Sequence, residues 1–142
     1  ALFAAETIPR PEQILAATTE RLRSAGLSGS KTAALQDLAR KSADGLIPSY
    51  RSLARMADDA IVERLTQVRG IGRWSVEMLL LFRMGRPDVW PTGDFAVRKS
   101  YGQLFGHDEM PGPREVEAGG ERWRPFRSAA AWYLWRALDT AT

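Results

Sequence analysis

The helical spacing of apolar residues constrains the fold of this chain more than any other feature. No segment alternates apolar and polar side chains for long enough to predict a β-strand, whereas apolar residues recur three and four positions apart along most of the sequence. The pattern therefore predicts an all-α fold with glycine and proline residues in the breaks. The predicted helices cover residues 11–24, 31–43, 59–67, 73–84, 94–104, 114–118 and 125–138.

Local signals refine some of these boundaries. Ser28 or Ser30 is a candidate N-cap for helix 31–43, and Asp58 is a candidate N-cap for helix 59–67. Residues 76–82 are apolar around almost the whole helix circumference, which predicts a buried central helix. Helix 125–138 is apolar over more than half of its circumference and must pack against more than one neighbour. We expect a further N-terminal segment, a second chain or self-association to cover it.

Composition excludes several classes of site. The chain of 142 residues has no cysteine, which excludes a disulfide scaffold, a zinc–thiolate finger, a cysteine nucleophile and a cysteine-ligated iron–sulfur cluster. Its single histidine, His107, excludes a histidine-rich metal site. No apolar run is long enough to span a bilayer, and no segment reads as a signal peptide. We expect a cytoplasmic protein (nucleoid-associated if bacterial) with no membrane partner.

The charge of the chain favours an anionic partner. Seventeen of the 20 basic residues are arginine, and the net charge is +3. A small basic domain of this kind suits nucleic acid, although a genome rich in arginine codons explains the bias equally well. The five tryptophans suit base stacking, but tryptophan is also an ordinary core residue.

A glycine-containing turn separates the third and fourth predicted helices. Gly70 and Gly72 permit a positive φ or close approach of another molecule to the backbone. The amides of such a turn, with the N-terminus of the next helix, form an anion site, as in a helix-hairpin-helix that binds phosphates without reading sequence. Arg69 and Arg73 flank the turn and can pair with phosphates. The alternative is an ordinary turn between two helices closed by glycine.

Two other phosphate-binding motifs fail here. The dinucleotide-binding fingerprint requires a third glycine where Ser75 stands, and no predicted strand precedes the turn. A P-loop requires a Gly-Lys-Ser/Thr sequence that the turn lacks.

Asp94 is the candidate catalytic residue. It lies at the start of predicted helix 94–104, after a loop rich in glycine and proline. The helix dipole favours an ionised carboxylate there, and such a group can stabilise positive charge on a sugar or activate a water. The alternative is a plain capping residue.

Four segments, in this order, together resemble the helix-hairpin-helix DNA glycosylases, and most closely the 3-methyladenine DNA glycosylase II subfamily. Residues 68–75 are similar to the family's hairpin, and residues 86–91 to its loop. Asp94 falls on the family's catalytic aspartate, and residues 122–128 and 132–136 are similar to its C-terminal signature. The resemblance covers nearly the whole chain. It implies the helical domain of such an enzyme, a multi-helix bundle, without the family's N-terminal helices.

The resemblance implies a monofunctional DNA glycosylase of base excision repair. Such an enzyme flips an alkylated purine of the 3-methyladenine type out of duplex DNA and hydrolyses its N-glycosidic bond. Trp74 stands where strand-cleaving relatives have a lysine nucleophile, so no amine attacks the sugar. Asp94 would stabilise the oxocarbenium-like sugar and assist the attacking water.

The resemblance also assigns roles to further residues. An aromatic pocket favours a cationic base, although core packing remains an alternative for both tryptophans. The residues implied for the base pocket are Trp74, Trp135 and Met78. The residues implied for DNA backbone binding are Val68, Arg69, Gly70, Ile71, Gly72, Arg73 and Thr92. No cofactor or catalytic metal is implied, but the carbonyls of Val68 and Gly70 are candidates for a Na⁺ or K⁺ site.

The implied organisation has three parts. Residues 1–10 are interpreted as the remnant of an N-terminal linker. Residues 11–104 form the helical domain, with the helix-hairpin-helix at about 59–84 and the catalytic loop and helix start at 85–104. Residues 105–142 are the C-terminal helices that complete the pocket.

The chain departs from the family in two places. Gly93 stands where many relatives have an acid. Relatives also have a glutamine-rich helix upstream of the position of Ala1 that lines the pocket. A second hypothesis is therefore a non-catalytic DNA-binding fragment, inactive without that helix. A third, a glycosylase for oxidised or mismatched bases, is opposed by Trp74 and by the Trp-Tyr-Leu-Trp signature.

Overall fold

The computed structural model describes residues 9–140, with side chains to residue 138. Its α-helices are α1 (Pro11–Ala16), α2 (Thr19–Ser24), α3 (Gly29–Ala43), α4 (Tyr50–Leu53), α5 (Asp58–Leu65), α6 (Arg73–Met78), α7 (Phe95–Leu104), α8 (Pro113–Gly120) and α9 (Arg127–Thr140). A π-helical turn (Leu79–Arg83) follows α6, and a 3₁₀ turn (Glu121–Trp123) follows α8. The described residues contain no β-strand, which confirms the all-α prediction. None of the helices in this part of the chain is both long and apolar enough to cross a membrane.

The chain divides into two compact units, the first ending at Val76 and the second beginning at Glu77. In the first unit, α1 and α2 pack against α3. Its core contains Ile14, Leu22 and Ala39, with the partly buried Ala17, Leu27 and Leu35 packed around them. This core positions α3, which supports the glycine turn at residues 68–72.

In the second unit, α7 packs against α9. Its core contains Trp90, Val97, Tyr101, Val116, Ala131 and Leu134, with the partly buried Trp123, Ala130 and Trp135 packed against them. Trp90 precedes α7 in the loop, and its indole N–H donates to the carbonyl oxygen of Val116 at 2.8 Å. Because Asp94 is the N-cap of α7, this core positions the helix at whose N-terminus the candidate catalytic residue lies.

The predicted helix over residues 11–24 is two helices. Ala17 is extended (φ −80°, ψ 135°) and ends α1, and Thr18 is extended and begins α2. The hydroxyl oxygen of Thr18 accepts a hydrogen bond from the backbone N–H of Arg21 at 3.2 Å. A threonine side chain that caps a following helix competes with continuation of the preceding one, which explains the break.

The predicted helix over residues 73–84 is present from Arg73 to Arg83, but it is not a continuous α-helix and not all of its apolar residues are buried. The α-helix ends at Met78, and the backbone N–H of Met84 donates to the carbonyl of Leu79, five residues earlier, at 3.0 Å. A π-helical turn changes the direction of the side chains that follow it. Phe82, which lies within this turn, is 65% exposed, and the charged Glu77, which precedes the turn on α6, is buried.

Two helix starts in the first unit differ from expectation. The N-cap of α5 is Ala57, so Asp58 is the first helical residue rather than the cap. An acid in the first turn is stabilised by the helix dipole without capping it. The structure also contains α4, which sequence patterning did not predict, begun by Ser49, whose hydroxyl accepts from the backbone N–H of Ser52 at 3.3 Å.

The remaining boundaries move by a few residues. Ser28 is the N-cap of α3, so this helix begins at Gly29. In the second unit α8 extends to Gly120. The last helix, α9, begins at Arg127 rather than at Pro125, because residues 124 and 125 form a turn in which the backbone N–H of Phe126 donates to the carbonyl of Trp123 at 2.7 Å. Asp94 is the N-cap of α7, so this helix begins at Phe95, one residue later than predicted.

Candidate functional site

Asp94 is a buried carboxylate at the N-terminus of α7. Its backbone is extended (φ −72°, ψ 127°), as is usual for an N-cap, and its Oδ1 accepts a hydrogen bond from the backbone N–H of Val97 at 2.9 Å. The residue is 9% exposed. The partial positive charge of the helix N-terminus favours the ionised carboxylate, which is the form that stabilises a developing cation.

Trp135 contacts Asp94 directly. The indole Nε1–H of Trp135 donates to the same Oδ1 of Asp94 at 2.9 Å. Two N–H donors from different parts of the second unit therefore meet on one carboxylate oxygen. The structure brings together Asp94 and Trp135, which the sequence assigned to catalysis and to the base pocket. In addition to any contact with a base, Trp135 holds the carboxylate.

Phe82 adds a second ring beside Trp135. The two ring centroids lie 5.5 Å apart with planes at 29°, a stacked arrangement. Together they line a groove of about 330 Å³ that also contains Pro87, Phe126 and Trp132. Sequence reasoning missed Phe82 because its apolar run predicted a core residue. Its exposure depends on the π-helical turn, which the sequence pattern did not indicate.

The other two candidate pocket residues lie in different units. Trp74 is in the first unit, on α6, and is 51% exposed. Met78 is in the second unit and is partly buried. Their predicted roles in a base pocket stay predictions.

The two glycines of the turn correspond to the two options that the sequence left open, a positive φ at Gly70 and open space at Gly72. Gly70 has φ +78°, a conformation that L side chains rarely adopt, and a Cβ there would lie 3.0 Å from the Cβ of Ala34 on α3. Gly72 has no positive φ, and a Cβ there would meet nothing within 4 Å. Gly70 is therefore required by the fold, whereas Gly72 leaves space around the backbone.

Asp37, on α3, stabilises the glycine turn. Its Oδ2 accepts a hydrogen bond from the backbone N–H of Arg69 at 2.8 Å and pairs with Lys41 at 2.7 Å. Lys41 also donates to the carbonyl oxygen of Gln67. The Arg69 amide, followed by Lys41, holds the pKa of Asp37 below its ordinary value of 3.8. Sequence reasoning missed the hydrogen bond between Asp37 and the turn because Asp37 lies 32 residues from Arg69.

The internal hydrogen bonds of the turn narrow the predicted anion site. The Arg69 amide binds Asp37, and the Ile71 amide donates to the carbonyl of Val68 at 3.0 Å. These two amides are therefore not available to a phosphate. The amides of Gly70 and Gly72 remain the candidates for one.

The other residues predicted to contact the DNA backbone differ in exposure. Arg73 is exposed on α6, and its guanidinium lies 3.9 Å from the carboxylate of Asp59, itself almost fully exposed. The side chain of Arg69 is also exposed, whereas Val68 is buried. Thr92 is partly buried, and its backbone N–H donates to the carbonyl of Trp90 at 2.9 Å. Contacts of these residues with DNA stay predictions.

In the described part of the chain, the candidate metal donors are backbone carbonyl oxygens. The described residues contain no group of three or more histidine, aspartate or glutamate side chains able to hold a metal ion. Carbonyl oxygens such as those of Val68 and Gly70 are donors that hard cations accept. The carbonyl of Val68 already accepts from Ile71, which leaves it one further lone pair. The monovalent cation stays a prediction.

Comparison with known proteins identifies the family. A profile described as the HhH-GPD superfamily base excision DNA repair protein matches residues 1–125. The chain belongs to this superfamily. The matched region includes the glycine turn of the HhH-GPD chain, Asp94 and the loop between them.

Within this superfamily, the chain is similar to proteins named DNA-3-methyladenine glycosylases. It is 41% identical, over 94% of its length, to DNA-3-methyladenine glycosylase 1 of Schizosaccharomyces pombe, and it covers 58% of that protein. It is 34% identical, over 92% of its length, to a putative DNA-3-methyladenine glycosylase of Bacillus subtilis, and it covers 45% of that protein. The predicted resemblance to 3-methyladenine DNA glycosylases is thus confirmed. The chain spans about half of the length of these relatives.

Solved structures agree with the sequence relatives. The fold matches a 3-methyladenine DNA glycosylase from S. pombe in complex with abasic DNA, with a TM-score of 0.84 and 41% identity. The match covers 92% of this chain and 63% of the other. A DNA-3-methyladenine glycosidase from Bacillus halodurans matches with a TM-score of 0.82 and 31% identity, over 92% of this chain and 59% of the other. These matches confirm the predicted glycosylase fold.

Proposed function

We propose that this chain carries the catalytic part of a monofunctional DNA glycosylase that removes alkylated purines from duplex DNA in base excision repair. The observation that carries the proposal is the carboxylate of Asp94. It is buried at a helix N-terminus and held through one oxygen by Val97 and Trp135, in a chain of the HhH-GPD superfamily. An ionised, oriented carboxylate stabilises the positive charge that develops on the sugar as the base departs.

The proposed reaction is hydrolysis of the N-glycosidic bond. Alkylation at N3 or N7 gives the purine a positive charge, so the base leaves with the bonding electron pair and becomes neutral. The sugar then carries positive charge, which the Asp94 carboxylate stabilises. Water attacks C1′ and loses its proton to that carboxylate, which leaves an abasic site. Because the leaving group is already cationic, no second acid is needed.

Strand cleavage is not part of the proposed reaction. A strand-cleaving relative attacks C1′ with a lysine amine. This chain has Trp74 at the matching position, and an indole supplies no amine. The proposed product is therefore free base and an intact strand with an abasic site.

The proposed partner is double-stranded DNA that contains an alkylated base. The S. pombe relative was solved with abasic DNA, and this chain shares its fold over 92% of its length. The open space at Gly72 and the exposed side chains of Arg69 and Arg73 are compatible with a phosphate at the turn. The stacked rings of Phe82 and Trp135 offer aromatic surface next to Asp94, which favours a cationic base.

The experiment is single-turnover base release from methylated duplex DNA by the parent and by Asp94→Asn. Asparagine retains an oxygen that accepts from Val97 and Trp135, so the substitution removes charge and leaves the geometry. We expect release to slow by about a hundredfold to a thousandfold. The control is Asp108→Asn, which alters an exposed carboxylate in the same unit.

The outcomes separate the two leading hypotheses. Base release that depends on Asp94 supports the glycosylase. DNA strands that remain intact when the products are analysed without heating support the monofunctional reaction. Duplex binding without any release supports the DNA-binding fragment instead.

A second copy of the chain is the other proposed partner, besides DNA. Phe82, Phe126, Trp132 and Tyr133 are all exposed within the second unit. A contiguous set of large apolar side chains on a protein surface often marks an interaction site. A second copy of the chain is one proposed cover for them, and sedimentation velocity reports whether it binds.

A further inference from the structure

Ser128, near the start of α9, attaches the loop before Asp94 to that helix. The hydroxyl of Ser128 donates to the carbonyl of Arg86 at 2.6 Å and accepts from the backbone N–H of Val89 at 2.9 Å. The backbone N–H of Ser128 donates to the carbonyl of Pro87 at 3.0 Å. One residue therefore holds three loop residues, and its hydroxyl serves as donor and acceptor at once.

The residue before Ser128 reinforces the same attachment. Arg127 is 7% exposed, and its Nε donates to Oδ1 of Asp88 at 2.7 Å. Its second terminal nitrogen donates to Oδ2 and to the carbonyl of Asp88, at 3.0 and 3.1 Å. Arg124 adds a hydrogen bond to Asp88 at 2.9 Å. A buried guanidinium must be paired, so this contact resists opening of the loop.

The same helix also holds the other end of the loop. Trp135 follows Arg127 by eight residues on α9, a rise of about 12 Å along the helix. Its indole binds Asp94, the residue with which the loop ends. One helix therefore forms hydrogen bonds with the loop at residues 86–89 and again at Asp94.

The backbone between these two contact points, residues 90–93, is itself constrained. Trp90 is buried and bound to Val116. A Cβ on Gly120 would lie 2.2 Å from the indole nitrogen of Trp90, so a glycine at this position makes room for the ring. The backbone N–H of Asp94 donates to the carbonyl of Pro91 at 2.9 Å. The backbone between the two contact points therefore has little freedom to absorb a displacement of residues 86–89.

We propose that Asp88, Arg127 and Ser128 are positioning residues that set the Asp94 carboxylate for base release. They touch neither the base nor the sugar in this scheme and act through the loop. The inference rests on the proposed function for its consequence in catalysis, whereas its structural part stands on the hydrogen bonds alone. A catalytic group displaced by about 1 Å loses roughly a hundredfold in rate.

The test compares Ser128→Ala with Ser128→Thr. Alanine removes both hydroxyl hydrogen bonds, and threonine keeps a hydroxyl. The first readout needs no activity: solvent exchange of the Trp135 indole N–H in NMR spectra, with the resonance assigned from Trp135→Phe. We expect about tenfold faster exchange in Ser128→Ala and recovery in Ser128→Thr. Ser24→Ala is the matched control, because it also removes a side-chain hydrogen bond, in the first unit.

The second readout is single-turnover release with DNA affinity measured separately. We expect Ser128→Ala to slow release by about tenfold to a hundredfold at unchanged affinity. In an Asp94→Asn background the same substitution should have no further effect, because residues that act through one another are not additive. A general loss of structure would instead lower affinity and slow both backgrounds.

The outcomes are distinguishable. If indole exchange and release in Ser128→Ala match the parent, the positioning role is wrong even though the glycosylase proposal survives. If indole exchange rises but the parent releases no base, Ser128 still fixes Asp94 and the proposed function is wrong. An equal effect of Ser24→Ala on the indole would also overturn the inference.

Discussion

Asp94 is a helix cap and also the proposed catalytic residue, two roles that are usually treated as alternatives. Its Oδ1 caps α7 through Val97 and accepts the indole N–H of Trp135. A capping carboxylate is anchored by its own helix, and the second donor restricts its remaining rotation. The structural role of the residue therefore supports the proposed catalytic one, since pre-organised charge needs no rearrangement during reaction.

Replacing Trp135 with phenylalanine should slow base release while leaving duplex affinity nearly unchanged. Phenylalanine keeps a ring against Phe82 but has no N–H for Asp94. A hydrogen bond to a charged group contributes about 1.5–3 kcal/mol, so we expect release to be about tenfold to a hundredfold slower. Trp132→Phe is the matched control on the same helix, and single-turnover kinetics measure both. An equal loss in the two variants would argue against a specific role of the indole N–H.

Sequence could locate Asp94 and, through the family resemblance, Trp135, but not the other residues around Asp94. A carboxylate after a glycine- and proline-rich loop at the start of a periodic segment is a local signal. Asp88 and its partner Arg127 are 39 residues apart, and either residue alone reads as an ordinary surface charge. Phe82 reads as core because the pattern assumes a continuous α-helix. What was missed depends on tertiary contacts that no local window contains.

At the scale of elements, the hairpin depends on α3. Ala34, Asp37 and Lys41 lie three and four residues apart on one face of this helix, and each meets the turn or its approach. The sequence indicated both helices around the turn, yet it gave no sign of this support. The same limitation explains the break at Thr18 and the π-helical turn, where a single side chain or backbone hydrogen bond decides between two conformations with the same apolar pattern.

Gly72→Ala should weaken duplex binding without disturbing the fold. The new methyl group has no neighbour within 4 Å and the backbone φ is not positive, so folding costs little. A phosphate at the Gly70 and Gly72 amides would be obstructed, and we expect affinity to fall about tenfold, or about 1.4 kcal/mol. Fluorescence anisotropy with an abasic duplex at two salt concentrations measures this, because phosphate contacts weaken as salt rises.

Gly29→Ala is the control for this experiment. It adds the same methyl group, also into open space, in the same unit but away from the turn. Equal affinities for the two variants would contradict phosphate binding at the turn. Gly70→Ala is less informative, because its positive φ and the nearby Ala34 make it a stability variant.

At the scale of the whole molecule, each unit contains a carboxylate whose ionised form is stabilised by folding. In the first unit the Arg69 amide and Lys41 lower the pKa of Asp37. In the second, the hydrogen bond from Arg127 lowers the pKa of Asp88, and Arg124 lowers that of Glu121. A carboxylate with a lowered pKa stabilises the folded state above its unfolded pKa, and this contribution is lost as the pH falls through the folded value.

The stability of the second unit should therefore fall in acid, and Asp88→Asn should remove part of that dependence. At pH 7 the variant should unfold at lower urea concentration than the parent, because Arg127 loses its charged partner while it remains buried. As the pH falls below 3.8, the ordinary pKa of Asp88, and through its lowered value, the parent loses the same contribution and the two midpoints converge.

Tryptophan fluorescence suits the measurement, since four of the five tryptophans lie beyond Glu77. Asp108→Asn, at an exposed site in the same unit, should track the parent at every pH. A gap between parent and Asp88→Asn that stayed constant down to pH 3 would mean that the charge of Asp88 does not stabilise the unit, and that its hydrogen-bonding oxygens alone hold the loop.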